Sequence, residues 1–449
     1  MSKEMNNAVL GRWRQVLSGS HGTAVTGPSG EVLRTWDDIE AEARHLSEKL
    51  SGEPGAVGLQ TGNIPEFPAL LLGCWRAGRP VCLFDADLPA AARDEIGREL
   101  GATTRVVVRE GNLCFENTGA RPARPHGRDL FKLTSGTTAR PRAIGFSAPQ
   151  LLADCDQICE TMGLRTDDVH FGVIPFSHSY GFSNLVTPLL CRGIRLVVAP
   201  DALPRAIEKS LASSGATVLP AVPALFRGLL SADSLPPGLR LCISAGAPLE
   251  PSIVREFHAR FGLKIHSFYG ASECGGICYD ASEDPLVEAG FVGHPLTGVQ
   301  VEVSGGPPPF RIRIRSRAVG SGAGIEAGAF SPDDLLVRDG HGFRIVGRES
   351  DLINVAGKKV APAEIERALA QCPGVRRALA CAVDDAVRGQ EICALIEGNG
   401  DPVALRRQCR ELLPAWKVPR RFAFASEIPA GPRGKASRKD IAKMFFGAR

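Results

Sequence analysis

The chain has 449 residues, of which 44% are hydrophobic and 23% charged, and its formal net charge is +4. This length allows two or more domains, and this apolar fraction is ample for buried cores. The small net charge argues against a nucleic-acid partner, and no apolar run reaches the roughly 18 residues that a membrane span requires.

The N-terminus and the cysteines favour a cytoplasmic protein. Residues 1–7 lack the apolar core of a signal peptide. The 13 cysteines are scattered along the chain. The pairs Cys155/Cys159 and Cys274/Cys278 have no histidine or second cysteine pair at the spacing of zinc ligands. We therefore expect reduced, mostly buried thiols and no structural metal.

The first 110 residues alternate between helical and strand patterns. A helix is predicted after Thr35, which is a good N-cap, because apolar residues then recur at helical spacing. A short buried strand is predicted at 56–60, and a packed helix at 68–78 that ends on a glycine. Further buried strands are predicted at 80–84 and 105–108. This alternation predicts an α/β fold with doubly wound layers.

A hydroxyl-rich loop follows a linker rich in Pro, Arg and Gly at 119–128 and a strand-like stretch at 129–133. The loop consists of Thr134, Ser135, Gly136, Thr137 and Thr138. Such a loop can direct backbone N–H groups and hydroxyls onto one anion, and Arg140 and Arg142 add positive charge. No Gly-Lys-Ser/Thr follows, so the loop is not a Walker motif. Two interpretations stay open, a phosphate-binding loop for ATP and a Ser/Thr-rich surface turn.

The alternation continues beyond this loop and then changes. Helices are predicted at 149–162 and 184–191, with an apolar run at 170–176 between them. Strands are predicted at 195–198, 216–219 and 239–243. From Val299 the strands become short, and the pattern of 310–315 predicts a small, half-buried antiparallel β-region with an arginine face. Beyond Gly347 we expect a small domain with a capped helix at 362–370 and strands near Ala378 and Ile392.

Four motifs occur in a fixed order. The hydroxyl-rich loop comes first, and Tyr269-Gly270-Ala271-Ser272-Glu273 second. Asp334 and Gly347-Arg348 follow, ahead of a Gly-Lys…Pro-x-Glu helix start, and Gly434-Lys435 comes last. Each motif alone is weak, but the series resembles the acyl-adenylate-forming superfamily from about residue 36 to 441. That superfamily includes acyl- and aryl-CoA synthetases, the adenylation domains of peptide synthetases, and luciferase.

This resemblance implies a domain plan and a reaction. A large N-terminal domain would span 1–346, a hinge 347–351, and a small mobile α+β domain 352–449. The enzyme would use ATP and Mg²⁺ to convert a carboxylic acid to an acyl-AMP with release of pyrophosphate. It would then pass the acyl group to coenzyme A or to the phosphopantetheine of a carrier protein. The resemblance leaves monomer and homodimer open.

The nucleotide-binding residues are carried over from the family motifs. The loop Thr134 to Thr138 would hold the β- and γ-phosphates, and Glu273 would hold Mg²⁺. Ser272 would contact the α-phosphate or the substrate carboxylate. The remaining predicted ATP- and AMP-binding residues are Gly246, Ala247, Pro248, Tyr269 and Gly270 at the adenine, and Asp334 and Arg348 at the ribose.

Lys435 resembles the mobile lysine that bridges carboxylate and α-phosphate during adenylation; on its own it would be read as a solvated lysine. Residues 354–360 resemble the segment that faces the incoming pantetheine, and Gly357 and Lys358 are the predicted thiol-acceptor residues. No cluster of Lys and Arg marks a site for the 3′-phosphate of coenzyme A. The choice between coenzyme A and a carrier protein therefore stays open.

The predicted acid-binding segment contains His178, which acyl- and aryl-CoA synthetases place beside the carboxylate. Residues 171–185 contain no acid, which disfavours an α-amino acid, since a buried substrate ammonium would be unpaired. We expect an aryl or fatty acid, with His178, Phe182 and Ala271 as its binding residues. His178, Glu273 and Lys435 are the predicted catalytic residues.

Three departures from the family pattern leave two alternatives. The family usually has Gly at Ala139, Lys at Arg142, and Asp or Lys at Ser350. One alternative is a ligase that loads only a carrier protein. The other is a degenerate nucleotide-binding regulatory protein.

Overall fold

The computed structural model describes residues 7–123, 127–134, 141–199, 204–305, 308–385, 389–429 and 438–447. The described helices are α1 Ala8–Gly19, α2 Trp36–Leu50, α3 Phe67–Arg76, α4 Ala90–Glu99, α5 Ala148–Thr161, α6 Ser179–Gly181, α7 Thr187–Arg192, α8 Pro204–Ser214, α9 Pro223–Leu229, α10 Pro251–Phe261, α11 Pro362–Leu369, α12 Pro402–Leu412 and α13 Arg438–Phe446. A π-helical turn covers Phe182–Val186, and a 3₁₀ turn covers Ala415–Lys417.

The described strands are β1 Thr23–Thr26, β2 Val32–Thr35, β3 Ala56–Gln60, β4 Val81–Leu83, β5 Ala102–Arg109, β6 Asn112–Asn117, β7 Leu130–Leu133, β8 Ala143–Phe146, β9 Val169–Gly172, β10 Arg195–Val198, β11 Val218–Ala221, β12 Leu241–Ser244, β13 Ile265–Ala271, β14 Gly275–Tyr279, β15 Phe291–Pro295, β16 Gln300–Val303, β17 Phe310–Arg315, β18 Ala329–Phe330, β19 Asp334–Asp339, β20 Gly342–Arg348, β21 Ile353–Val355, β22 Lys358–Val360, β23 Val375–Asp385, β24 Gly389–Gly398 and β25 Arg421–Ala425.

The chain divides into two units. The first comprises residues 1–302, 313–331 and 340–343, and the second comprises 303–312, 332–339 and 344–449. The predicted α/β class, with a large N-terminal part and a smaller C-terminal part, is confirmed. The domain boundaries at 346 and 352 and the mobility of the C-terminal domain stay predictions. Within the described ranges, no helix is long and apolar enough to cross a membrane.

A six-stranded sheet of the first unit has the order β6-β5-β3-β4-β7-β8. Its central strands are parallel, and β5–β6 and β7–β8 are antiparallel pairs. Strand β4 is buried throughout because helices cover a parallel sheet on both faces. Helix α3 is buried over all but its last residue, in agreement with its apolar sequence. The predicted phosphate loop connects β7 to β8.

Within a second, larger sheet, nine strands of this unit follow the order β15-β14-β13-β12-β11-β9-β10-β1-β2. The strands from β13 to β1 run parallel, and antiparallel strands complete both sides. The carboxyl ends of parallel strands meet at one edge of a sheet, where ligands of open α/β sheets bind. The segments that follow β9, β12 and β13 therefore begin at the same edge, and each carries predicted site residues.

The second unit contains a sheet with the order β22-β21-β24-β23, in which β25 pairs with β24. Helix α11 packs against this sheet through Ile365 and Leu369, which are fully buried. The predicted cap of α11 is wrong, since Ala361 stands at the N-cap position and has no side-chain acceptor. Pro362 compensates in part because it has no N–H group that would need a partner.

Two patterns read from the sequence are confirmed in detail. Thr35 caps α2 in a capping box, in which Thr35 Oγ1 accepts from the N–H of Asp38 at 3.1 Å and the Asp38 carboxylate accepts from the N–H of Thr35 at 2.8 Å. In β17, Ile312 and Ile314 are buried and the arginines lie on the more exposed face.

The helix predicted at 184–191 differs, because it begins as a π-helical turn. Pro188 has no N–H, so it cannot donate to the carbonyl of Asn184 as an α-helix requires. His170 Nδ1 lies 2.8 Å from that carbonyl oxygen and donates to it instead. The N–H of Thr187 reaches back to the carbonyl of Phe182. The widened turn follows directly on the segment that carries His178.

Candidate active site

The base of the predicted phosphate loop is a closed hairpin. The N–H of Thr134 donates to the carbonyl of Arg142 at 2.8 Å, and Leu133 pairs with Ala143. The Thr134 side chain is buried. The predicted loop residues Ser135, Gly136, Thr137 and Thr138 lie outside the described residues. The structure thus provides the frame of the loop, and the binding of phosphates by it stays a prediction.

His178 is paired with a carboxylate that the sequence analysis missed. Its Nε2 lies 3.1 Å from Asp85 Oδ1, and the Ser177 hydroxyl donates to the same oxygen at 2.9 Å. Asp85 follows β4 of the six-stranded sheet and reaches His178 across 93 positions of sequence. The sequence signal was available, since an acid directly after a buried parallel strand lies at a ligand-binding edge. The His178 side chain is 38% exposed, so a ligand can reach it.

The turn before His178 is shaped by Asn63. The Asn63 amide donates to the carbonyls of Gly172 and Ile174 at 3.0 and 2.9 Å, and its oxygen accepts from the N–H of Phe176 at 2.8 Å. Three backbone groups between β9 and His178 are therefore satisfied by one side chain. Asn63 was not predicted as a site residue, and nothing local in the sequence marks it.

Tyr180 and Phe182 have different surroundings. The Tyr180 hydroxyl donates to the carbonyl of Ile243 at 2.9 Å, and its ring lies 5.8 Å from that of Phe268. Desolvation raises the pKa of Tyr180 well above its usual range, so the phenol stays a neutral donor. Tyr180 thereby connects the His178 segment to β12 and β13. Phe182 has no exposed surface and belongs to the hydrophobic core, and its part in acid binding stays a prediction.

The Tyr-Gly-Ala-Ser-Glu motif lies where β13 turns into β14. Tyr269 is buried, and Gly270 and Ala271 end β13. Ser272 and Glu273 occupy the turn, where the Glu273 carbonyl accepts from the N–H of Gly320 at 2.8 Å. The motif is thereby held at the carboxyl edge of the sheet.

The predicted adenine-side loop begins immediately after β12. Ser244, the last residue of β12, pairs with Ser267 of β13. Gly246 has φ +85°, a conformation that glycine adopts without strain. Gly246, Ala247 and Pro248 therefore begin at the same edge as the Tyr269 motif. Contact of this loop with adenine stays a prediction.

Asp334 and Arg348 form an ion pair within the second unit, with Arg348 Nε 3.0 Å from Asp334 Oδ1. A carboxylate and a guanidinium together suit the two hydroxyls of a ribose. The neighbouring Asp333, which was not predicted, accepts from the N–H of Ser350 at 3.2 Å, and its carbonyl accepts from the N–H of Glu349 at 2.8 Å. The predicted hinge is thus hydrogen-bonded to the residue that precedes β19 in this unit.

Gly357 and Lys358 lie in the tight β21–β22 hairpin, where Ala356 and Gly357 have positive φ. The Lys358 ammonium lies 5.5 Å from the centre of the Trp416 ring, and the Lys417 ammonium lies 5.3 Å from it. Lys417 also pairs with Glu364 at 2.5 Å. Lys358 is distant in sequence from Trp416 and Lys417, so no local pattern predicted this cluster. Lys435 lies outside the described residues, and its role stays a prediction.

All 13 cysteines are free thiols, and all but Cys114 are buried, as predicted. Over the described ranges, no group of three or more His, Cys, Asp or Glu side chains is arranged to hold a metal ion. Binding of Mg²⁺ by Glu273 stays a prediction, and this ion often binds through one or two carboxylates and the phosphates of its substrate.

Two family models match the chain. The model described as AMP-binding enzyme matches residues 120–309, and the model described as AMP-binding enzyme C-terminal domain matches residues 364–435. The first match contains the hydroxyl-rich loop, His178 and Glu273. The second begins within α11 and ends at Lys435.

Two relatives and one solved structure illustrate the similarity. A sulfoacetate–CoA ligase from Cupriavidus necator is 32% identical over 342 residues, which are 71% of this chain and 67% of that protein. A 3,4-dihydroxybenzoate–[aryl-carrier protein] ligase from Bacillus anthracis is 25% identical over 318 residues, which are 69% of this chain and 72% of that protein. ATP-bound MatB from Rhodopseudomonas palustris has a TM-score of 0.82 at 22% identity, over 100% of this chain and 99% of its own. The last similarity shows a common fold.

Proposed function

Because this ATP-dependent acid–thiol ligase belongs to the AMP-binding enzyme family, we propose that it activates an aryl or fatty carboxylic acid without an α-amino group. The observation that carries the proposal is the His178–Asp85 pair. Residues 171–185 themselves contain no acid, but the fold places the Asp85 carboxylate beside His178. A carboxylate at this position could bind the ammonium group of an amino acid, so its partners within the protein decide whether an amino-acid substrate is disfavoured. Asp85 Oδ1 already accepts from Ser177 and lies 3.1 Å from His178 Nε2, so this oxygen has two partners within the protein.

The chemistry follows from the poor reactivity of a carboxylate, whose leaving group would be oxide. Transfer of AMP from ATP to the carboxylate releases pyrophosphate and makes a mixed anhydride, from which AMP leaves readily when the thiol attacks the carbonyl. The protein must hold the carboxylate and the triphosphate in line and neutralise the charge that develops. We assign the triphosphate to the loop framed by Thr134 and Arg142, the ribose to Asp334 and Arg348, and the acid to the edge that carries His178.

Mg²⁺ and the lysine complete this assignment. We propose that Glu273 holds Mg²⁺, which when bound would neutralise phosphate charge. Lys435, a flexible ammonium donor, would bridge the carboxylate and the α-phosphate. His178, oriented by Asp85, would face the acid.

We propose coenzyme A or a carrier-protein phosphopantetheine as acceptor, bound beside Gly357 and Lys358. The pair of ammonium groups around Trp416 supports this assignment, since a phosphate or a ring can contact these groups in the same unit. The carrier-protein alternative is favoured by the aryl-carrier protein ligase among the relatives. We further propose a cytoplasmic location, which the free thiols support.

The test is ATP–pyrophosphate exchange with a panel of acids, followed by thioester formation with coenzyme A or with a carrier protein. The panel pairs phenylpropanoate with phenylalanine, which differ only by the amino group, and includes benzoates, fatty acids and sulfoacetate. We expect phenylpropanoate to be activated far better than phenylalanine. Equal activation of the two would contradict the proposal. Pyrophosphate release with no consumption of coenzyme A would favour the carrier-protein alternative.

A further inference from the structure

Lys132 is a buried lysine in the strand that leads into the predicted phosphate loop. It lies in β7, two residues before Thr134, and only 2% of it is exposed. Its ammonium lies 5.0 Å from the centre of the Phe146 ring and 4.8 Å from that of Phe182. Burial lowers the pKa of Lys132, and the negative charge of Asp154 opposes this shift. A lysine is rarely buried without such a partner.

A short chain of hydrogen bonds starts at this ammonium. Lys132 Nζ donates to Ser183 Oγ at 3.3 Å, and the Ser183 hydroxyl donates to Asp154 Oδ2 at 2.6 Å. The other oxygen, Asp154 Oδ1, accepts from the N–H of Gly276 at 2.9 Å. Ser183 and Asp154 are 3% and 5% exposed, so the whole chain is shielded from water. In such surroundings each bond is strong, and a lost partner is costly.

The chain of bonds joins three stretches that carry predicted site residues. Lys132 belongs to the strand before the phosphate loop, and Ser183 lies five residues after His178. Gly276 lies three residues after Glu273, and Asp154 of α5 connects it to the other two. Gly275 has φ +72°, and a Cβ there would lie 2.0 Å from Asp154 Oδ1. The turn that carries Glu273 is therefore seated directly on this carboxylate.

Stability alone does not explain these buried charges. Apolar residues of similar volume often replace a buried ion pair without loss, because taking two charges out of water is costly. Lys132 and Asp154 are bridged by Ser183, whereas Lys264 and Asp280 of the same unit form a direct buried ion pair at 2.7 Å. Ser282 completes that pair locally, since it accepts from Lys264 and donates to Asp280. The bonds of Lys132, by contrast, extend through Ser183 and Asp154 and link its own strand to two other site-bearing stretches.

We propose that Lys132, Ser183 and Asp154 are positioning residues that hold the phosphate-loop strand, the His178 segment and the Glu273 turn in one fixed arrangement. This inference rests on the proposed function, because that reaction uses all three stretches. The network contacts no substrate in this role. It preorganises the site, and a mutation far from the reacting atoms that misplaces them by about 1 Å can cost about 100-fold in rate.

The main test variant is Lys132→Met/Asp154→Asn, which removes both charges and nearly preserves volume. Its readouts are the thermal midpoint and the Kd for ATP by titration calorimetry, which needs no knowledge of the acid. Ser183→Ala removes only the bridging hydroxyl. Lys264→Met/Asp280→Asn is the matched control, since it also removes a buried Lys–Asp pair. We expect the first double variant to raise the Kd for ATP at least tenfold and Ser183→Ala to raise it severalfold. We expect the control to leave this Kd within twofold.

Three outcomes would overturn the proposal. The first is a Kd within twofold of the wild-type value in the folded Lys132 double variant. The second is an equal loss of ATP affinity in the Lys264 control, which would mark a general effect of removing a buried pair. The third applies if the Lys132 double variant does not fold. In that case Ser183→Ala is the test variant, and a Kd for ATP equal to the wild-type value would contradict the proposal. A wild-type protein that binds ATP but activates no acid of the panel would contradict the proposed substrate class alone.

With an activated acid in hand, pyrophosphate exchange provides a second readout. A positioning role predicts a lower kcat together with a higher KM for ATP in the Lys132 double variant at a thermal midpoint close to that of the control. A purely structural role predicts instead that, when the two thermal midpoints match, kcat and the KM for ATP of the Lys132 double variant equal those of the control. That result would contradict the proposal.

Discussion

At the scale of single residues, the acid-binding edge depends on how Asp85 meets His178. An imidazole that is hydrogen-bonded to a carboxylate is fixed in orientation. Ser177, one residue before His178, donates to the same carboxylate oxygen. Two neighbouring side chains are thus held by one acid from a different sheet. The pair explains how a histidine on a turn keeps one orientation.

The first prediction concerns Asp85→Asn, which preserves shape and removes the charge. A hydrogen bond to a charged group contributes about 1.5–3 kcal/mol, so we expect kcat/KM for the acid to fall about 10- to 100-fold. Pyrophosphate exchange with the best acid of the panel measures it. Asp87→Asn, two residues further along and exposed, is the control and should change little. An unchanged kcat/KM in Asp85→Asn would remove Asp85 from the site.

At the scale of elements, two turns adopt conformations that a neighbouring side chain imposes. The turn between β13 and β14 needs glycine at 275, because Asp154 occupies the space of a Cβ. In the π-helical turn Phe182–Val186, the Asn184 carbonyl accepts from His170, because Pro188 has no N–H group to donate to it. The conformation of each turn therefore depends on one residue of the turn or next to it, Gly275 or Pro188, and on one side chain from a distant element, Asp154 or His170.

The second prediction concerns Gly275→Ala. Gly275 has φ +72°, and an added Cβ would also lie 2.0 Å from Asp154 Oδ1. Gly324→Ala is a matched control, because Gly324 has φ +78° with nothing within 4 Å of its Cβ position. The backbone alone costs about 1–2 kcal/mol in both variants. We expect Gly275→Ala to lower the free energy of unfolding by clearly more than Gly324→Ala does, as measured by urea denaturation. If the two variants lose the same free energy of unfolding, the Asp154 side chain moves away from the added Cβ without cost, and the prediction is wrong.

The third prediction concerns pH and His170. Burial lowers the pKa of His170 from 6.5 to about 4, so the folded state keeps it neutral. Between these values the unfolded state binds more protons, and stability is therefore lost as the pH falls from 6.5 toward 4. From pH 7 to pH 5 this histidine should cost about 2 kcal/mol of unfolding free energy. Urea denaturation at both pH values should show a smaller loss in His170→Gln than in the wild-type protein. An equal pH dependence would contradict a neutral, buried His170.

At the scale of the whole molecule, the predicted site residues are divided between two units. The first contains the base of the phosphate loop, His178 and the Glu273 turn, and the second contains Asp334, Arg348 and the Lys358 hairpin. The family resemblance predicts that the second unit presents different residues in each of the two reaction steps. Alternation of the small domain between the two steps stays a prediction.

The fourth prediction tests this alternation through Lys435→Ala. If Lys435 acts only in adenylation, the variant should lose acyl-AMP formation by about 10²–10³, as expected when a donor to the transition state is removed. It should still convert supplied acyl-AMP and thiol to thioester. Lys439→Ala, an exposed lysine in α13, is the control and should leave both half-reactions intact. Loss of both half-reactions in Lys435→Ala would contradict separate roles for the two steps.

The sequence by itself determined the fold class, most helices and strands and the order of the family motifs. Hydrophobic periodicity and helix caps depend on only a few neighbouring residues. The N-cap role of Thr35 and the alternating burial of β17 could therefore be predicted correctly from the sequence. Motifs such as Tyr269 to Glu273 are contiguous, and they place predicted site residues without a structure.

Only the tertiary structure decided which side chains support those motifs. Asp85 reaches His178, Asp154 reaches Gly276, and Trp416 reaches Lys358 across long stretches of sequence. The same holds for the π-helical turn, which needed His170 as well as Pro188. No local pattern records such contacts, because strand order and register bring distant residues together only after the chain has folded.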